Sequence, residues 1–153
     1  MGTTIAAKDP GWSRSARSYA DSRLPPFVVP VGRALFAAIF ILSGPNHFSP
    51  ATIGFAASQG VPFASLLVPL SGIIAMLGGL SILLGYHVKI GALLLVAFLV
   101  PVTLTLHAFW KVADPMMAQM QLGMFMKNVS MLGGALLIGY FGAGPVSLEA
   151  RRK

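Results

Sequence analysis

Cysteine is absent from this chain. That removes disulfides, thiolate metal sites and thiol exchange from anything the chain does alone. Acid is nearly absent as well. Asp9, Asp21, Asp114 and Glu149 are the whole set, and none lies within an apolar run. A transporter or proton pump built on buried carboxylates is disfavoured for that reason. Charge of either sign is scarce, at 10% of residues, against about 25% in an ordinary soluble domain. No nucleophile–base pair, phosphate-binding loop or carboxylate dyad can be found, so no catalytic residue is assigned.

Hydrocarbon stands where charge is missing. The 153 residues are 56% hydrophobic, with a mean hydropathy of +0.78. So few charges do not cover a globular surface, and lipid covers it instead. The length allows one membrane domain and no separate soluble one. The net charge of +7 sits at the ends of apolar segments. That placement suits anionic lipid headgroups and argues against nucleic acid as a partner.

Three regions follow from the composition. Residues 1–26 are a polar, basic arm ending at Leu24-Pro25-Pro26, with Trp12 as an interfacial anchor. Residues 27–145 carry the apolar segments, and residues 146–153 form a basic tail. No small-x-small cleavage site followed by a soluble domain is seen. Within the apolar region, the first segment is predicted from Phe27 to Gly44, where Gly44-Pro45 stops the helix. Arg33 lies near its start and is expected to reach back to the membrane surface. Ser49-Pro50 reads as a helix start, Ser as N-cap and Pro at the first position. The stretch Ala51 to Gln59 is too short to span and is placed flat at the interface, ending at Gly60. Further segments are predicted at Pro62–Leu84, Ile90–Trp110 and Met117–Phe141. Each approaches the ~20 residues needed to cross hydrocarbon. The fold class is therefore all-α, an integral membrane four-helix bundle.

Orientation follows from the basic residues. One side holds Lys8, Arg14, Arg17, Arg23, Arg33, Lys89, Arg151, Arg152 and Lys153; the other has Lys111 and the intramembrane Lys127. Nine against two puts both termini in the cytoplasm.

With that orientation, several polar residues come to one depth in the outer leaflet. Asn46 and His47 follow the first segment, and His107 and Trp110 lie in the last turn of the third, with Thr103 a turn earlier. Lys127 and Asn128 lie in the early turns of the fourth, with Ser130 beside them. Two imidazoles, an ammonium and two amides together suit a quinone head-group or a small oxyanion. Each member has a plainer reading that stays open at this point. Lys127 lies about 8 Å below Leu122 by helical rise and is able to snorkel. His107 and Trp110 are ordinary interfacial types, His47 suits a loop, and Asn128 suits helix–helix hydrogen bonding. Haem or metal ligation by His47 and His107 has no supporting spacing motif. Met116, Met120 and Met124 share a face; adaptable packing is favoured over Cu(I) ligation.

A weak repeat joins Met76-Leu77-Gly78-Gly79 to Met131-Leu132-Gly133-Gly134. Paired glycines that let helices approach closely explain it more simply than related hairpins do.

The run Arg33 to Phe48 resembles the first helix of DoxX proteins. Gly85 after its Gly-Gly segment, His107-Ala108-Phe109-Trp110, Lys127-Asn128 through Gly133-Gly134 and Gly142-Ala143-Gly144-Pro145-Val146-Ser147-Leu148-Glu149 extend the likeness over about residues 30 to 150. Glu149 departs mildly from the Asp common in that family. The resemblance implies a four-helix bacterial inner-membrane protein. Similar proteins include the small membrane subunit of a thiosulfate:quinone oxidoreductase. The expectation is a subunit binding a quinone or similar small ligand in a larger membrane complex, with a redox partner. The alternative is an assembly subunit that docks another membrane protein, or a second copy of itself, through glycine-rich helix faces.

Overall fold

A computed structural model describes residues 25–152; the polar arm, with Trp12, lies outside the described residues. Five helices follow one another: α1 (Val28–Ser43), α2 (Pro50–Ser58), α3 (Ala64–Leu84), α4 (Val88–Leu106) and α5 (Pro115–Phe141). Short 3-10 turns occupy Gly44–Phe48, Phe109–Lys111 and Ala150–Arg152. No strand occurs among the described residues. The fold is all-helical, and α1 with its 3-10 extension, α3, α4 and α5 are each long and apolar enough to cross a membrane.

Local chemistry accounts for most boundaries. Ser49 Oγ accepts from the Thr52 N–H (3.2 Å) with Pro50 at the first helical position, so α2 starts as its sequence predicts. Gly60, at φ +83°, supplies the left-handed backbone beyond its end. Asp114 caps α5 in the same way, accepting from the Met117 N–H at 2.7 Å.

One end is as predicted and one is not. The α-helix stops at Ser43 with Gly44 as its C-cap; Gly44 stays right-handed (φ −51°, ψ −47°) and the backbone tightens into the 3-10 turn Gly44–Phe48. Pro45 is tolerated there because the first turn of a helix has unpaired N–H groups in any case. Asn46 and His47 therefore ride on a continuation of α1. At the other boundary α4 ends at Leu106, which leaves His107 just past the last turn and Trp110 on the separate turn Phe109–Lys111.

The helices alternate in direction. α3 packs against α1 on one side and α4 on the other, and α4 packs against α5. Ile82, Val88, Leu95 and Leu99 are fully buried at the centre, among Ala37, Ala75, Ala92 and Ala135. Leu35, Leu42, Leu93 and Leu136 point outward, the lipid-facing side of a bundle whose solvent is hydrocarbon. Met116, Met120 and Met124 are also exposed, so they face outward and do not fill the core. α1 and α5 have no extended packing between them. Phe36 of α1 bridges that gap by lying over Gly134, where a Cβ would come within 2.7 Å of its ring.

Close approach explains three of the four repeated glycines. A Cβ on Gly78 would meet Leu95 at 2.7 Å, and one on Gly79 would meet Ile41 at 3.1 Å. Gly134 carries Phe36, and only Gly133 opens onto free space.

The basic end of the bundle is closed by the chain beyond α5. Arg33 is buried, at 5% exposure, and its guanidinium is held by the protein itself. Its Nη1 donates to the Ala143 carbonyl and its Nη2 to the Val146 carbonyl, both at 2.7 Å. The following residues lie against the end of α3, where the Leu148 and Glu149 N–H groups donate to the Leu84 and Gly85 carbonyls at 3.2 and 3.0 Å. The Glu149 Oε1 in turn accepts from the Val88 N–H at the start of α4 (3.1 Å). Helix ends carry unpaired carbonyl and N–H groups, and this segment supplies partners for several of them.

Candidate functional site

At the opposite end, the gap between α1 and α5 widens into a cavity of about 650 Å³. His47, His107, Lys127 and Asn128 all line it. Its walls are otherwise mostly apolar, with Phe40, Phe98 and Met131 among them. The size falls within the roughly 300–1,000 Å³ of small-molecule sites.

His47 is placed by a close crossing of backbones. The 3-10 turn sits on α3 at Gly72, where a Cβ would lie 2.6 Å from the His47 Cβ and 3.1 Å from the Gly44 carbonyl oxygen. The imidazole rests beside the Phe98 ring (centroids 5.6 Å apart). Its Nδ1 is 3.1 Å from Ser71 Oγ, and Ser71 Oγ donates its one proton to the Val68 carbonyl at 2.7 Å. The serine is then an acceptor toward the ring, so the neutral imidazole carries its proton on Nδ1. Nε2 is left as a lone-pair acceptor. The same reasoning holds for His107, whose Nδ1 is 2.8 Å from the acceptor oxygen Oε1 of Gln121. In the neutral ring the other nitrogen of His107 is then an acceptor as well.

Asn128 is the most informative member. It is 5% exposed, and its side-chain amide makes no hydrogen bond to any described residue; the amide atoms reach the cavity it lines, whereas the fully buried side-chain nitrogen without a partner is Arg33 Nε. Its donor and acceptor both face the cavity and are available to whatever fills it. Lys127, one residue earlier, is exposed at the rim, with its Nζ 3.4 Å from Met124 Sδ.

Two of the six expected residues do not reach the cavity. Asn46 is exposed on the outer side of the 3-10 turn, where its carbonyl accepts from the Ser49 N–H (3.1 Å). Trp110, 54% exposed, packs edge-on against Phe109 and Phe125, with centroids 5.0 and 5.8 Å away. Its turn lies beyond the end of α4, which carries the indole away from the opening. The hydroxyls of Thr103 and Ser130 are bonded to carbonyls of their own helices, Leu99 and Met126. Conversely, the sequence reading gave no site role to Ser71, Gln121 or Phe98. The Ser71-Gly72 pair, small and polar inside an apolar helix, was the one available signal for the first of them. Among the described residues, no cluster of three or more His, Asp or Glu side chains is arranged to hold a metal ion.

The comparisons with known proteins agree on the class. The family model described as DoxX matches residues 28–108, from the start of α1 to just past α4. Over 128 residues, 82% of this chain and 91% of the other, the chain is 26% identical to Inner membrane protein YphA of Escherichia coli (strain K12). No solved structure matches the chain.

Proposed function

Because the chain belongs to the DoxX family, we propose that it is a multi-pass inner-membrane subunit whose cavity binds a quinone head-group, or a similarly small ligand bearing carbonyl or hydroxyl oxygens, for a membrane redox complex. The Asn128 amide, without a partner in the protein and facing a cavity of about 650 Å³, carries this reading. Its NH₂ suits a carbonyl oxygen and its Oδ1 suits a hydroxyl. The free His47 Nε2 accepts from a hydroxyl, Lys127 donates at the rim, and Phe98 and Met131 flank the ring. Any electrons come from a partner or a bound cofactor. With the basic end in the cytoplasm, the cavity lies toward the outer leaflet, where a lipid-soluble ligand enters sideways through the gap between α1 and α5.

The test is Asn128→Leu, purified in mild detergent and titrated with a short-tailed benzoquinone in its oxidised and reduced forms. Binding is expected to weaken about tenfold, the value of one buried hydrogen bond near 1.4 kcal/mol. Thermal stability is expected to hold, since Leu keeps a similar branched shape and joins a mostly apolar lining. Unchanged binding of both forms removes the proposal.

A second reading keeps some support from α5, on which only Asn128 and Ala135 are buried and Gly123 and Gly133 open outward. On that reading the chain is an assembly subunit docking another membrane protein or a second copy. Lys127→Ala separates the two: a binding site predicts lost ligand with normal abundance of the complex, and a docking face predicts reduced assembly.

A further inference from the structure

The basic end holds a second, smaller cleft of about 260 Å³, between the start of α1, the end of α3 and the segment after α5. Two guanidinium groups line it, Arg33 and Arg151. They differ in kind. Arg33 is buried and held by two neutral carbonyls, which set its position without cancelling its charge, and Glu149 is the acid close enough to act on it. Arg151 is exposed and has no hydrogen-bond partner among the described residues. Its neighbour Arg152 is already engaged, lying over the Tyr86 ring (4.9 Å) and bonded to the Tyr86 hydroxyl (3.3 Å). Glu149, the acid of this segment, accepts from the Val88 N–H. With Lys89, this end has four cations against one acid among the described residues.

Apart from Ser147, whose hydroxyl is already bonded to the Gly144 carbonyl, the rest of the cleft is apolar: Pro30, Leu83, Leu84, Val146 and Leu148. A soluble anion has no use for such walls, and a hydrocarbon chain has none for two guanidiniums. One molecule that satisfies both surfaces carries a phosphate joined to acyl chains. The depth fits as well. Arg33 leans toward the start of α1, as helical side chains do, and its partners lie beyond the end of α5. The guanidinium therefore sits near headgroup level, where basic residues attract anionic lipid.

We propose that this cleft binds the phosphate of an anionic phospholipid between Arg33 and Arg151, with an acyl chain lying on Pro30, Leu83 and Leu84. The lipid wedges against the segment that closes the bundle, so it acts on a different end of the molecule from the quinone cavity. The two proposals stand or fall separately.

Native mass spectrometry of the full-length protein, delipidated in detergent and then offered phosphatidylglycerol, phosphatidylethanolamine or inorganic phosphate, tests it. Phosphatidylglycerol is expected to be retained at least fivefold over phosphatidylethanolamine, with no adduct from inorganic phosphate. Arg151→Gln is expected to reduce phosphatidylglycerol retention roughly fivefold, the usual weight of one basic residue at a membrane surface. Lys111→Gln, at the other end, leaves it unchanged. Arg33→Lys, which keeps the charge, retains more lipid than Arg151→Gln does. Equal retention of the two lipids, wild-type retention by Arg151→Gln, or inorganic phosphate binding as well as phosphatidylglycerol overturns the proposal.

Discussion

Replacing Arg33 with Ala is expected to destabilise the protein by about 3 kcal/mol or more, and to release the segment after α5 from the bundle. Two charge-assisted hydrogen bonds, to the Ala143 and Val146 carbonyls, disappear together. Each is worth roughly 1.5–3 kcal/mol when one partner is charged. A term of opposite sign reduces the loss, because burying a cation is costly and its removal recovers that cost. The geometry decides the balance. The two carbonyls belong to a segment with positive φ at Gly142, Gly144 and Val146, which has no regular ladder to fall back on. Without Arg33 the segment loses what holds it, and its contacts with Leu84, Gly85 and Val88 follow. Thermal unfolding in detergent measures the first effect. Limited proteolysis after residue 142 measures the second. Arg33→Lys is expected to fall between wild type and Arg33→Ala, since one ammonium serves one carbonyl well and two poorly. Wild-type melting and wild-type protection in Arg33→Ala would show that the clamp contributes nothing.

Gly72→Val is the second large effect. The new Cβ would stand 2.6 Å from the His47 Cβ and 3.1 Å from the Gly44 carbonyl oxygen. Neither neighbour is the far end of a flexible side chain, so the 3-10 turn itself has to move off α3. Overpacking of this kind costs typically 1–3 kcal/mol. A functional cost comes in addition, because the same displacement parts His47 Nδ1 from Ser71 Oγ and frees the imidazole to rotate. On the proposed reading of the cavity, quinone binding is expected to fall at least tenfold, which is 1.4 kcal/mol in binding. Gly133→Val is the matched control. Nothing lies within 4 Å of its added Cβ, and both stability and ligand binding should stay as they were. A complex that loses a partner only in Gly133→Val would favour the docking reading of α5. Equal ligand affinity in Gly72→Val and wild type would detach His47 from the site.

Particular residues mark how far the sequence could be read. Ser49 and Pro50 state their own cap, and the structure has it. Gly44-Pro45 marked where the α-helix ends but not how, because a Gly-Pro pair suits a left-handed stop and a 3-10 turn equally well. Which one forms depends on α3 presenting Gly72 to the incoming backbone. Arg33 showed that a charge lay near the start of a span, and snorkelling was the local solution. Its actual partners lie 110 and 113 residues away, outside the reach of any local rule. Lys127 and His107 were placed at one depth from sequence, and the cavity brings both to its lining. Trp110 was put at the same depth, and a single 3-10 turn carried it elsewhere.

Sequence alone determined that this protein is a bundle of four membrane-crossing helices, because a run of about 20 apolar residues is a one-dimensional property that lipid reads directly. Tertiary structure alone decided which side of each helix faces inward. Helices that are apolar all round carry little rotational information, so their rotation is set by the few places of close approach, backbone to backbone at Gly72 and Gly78 and backbone to the Phe36 ring at Gly134. From those contacts came both the unpartnered Asn128 in its cavity and the buried Arg33 at the other end.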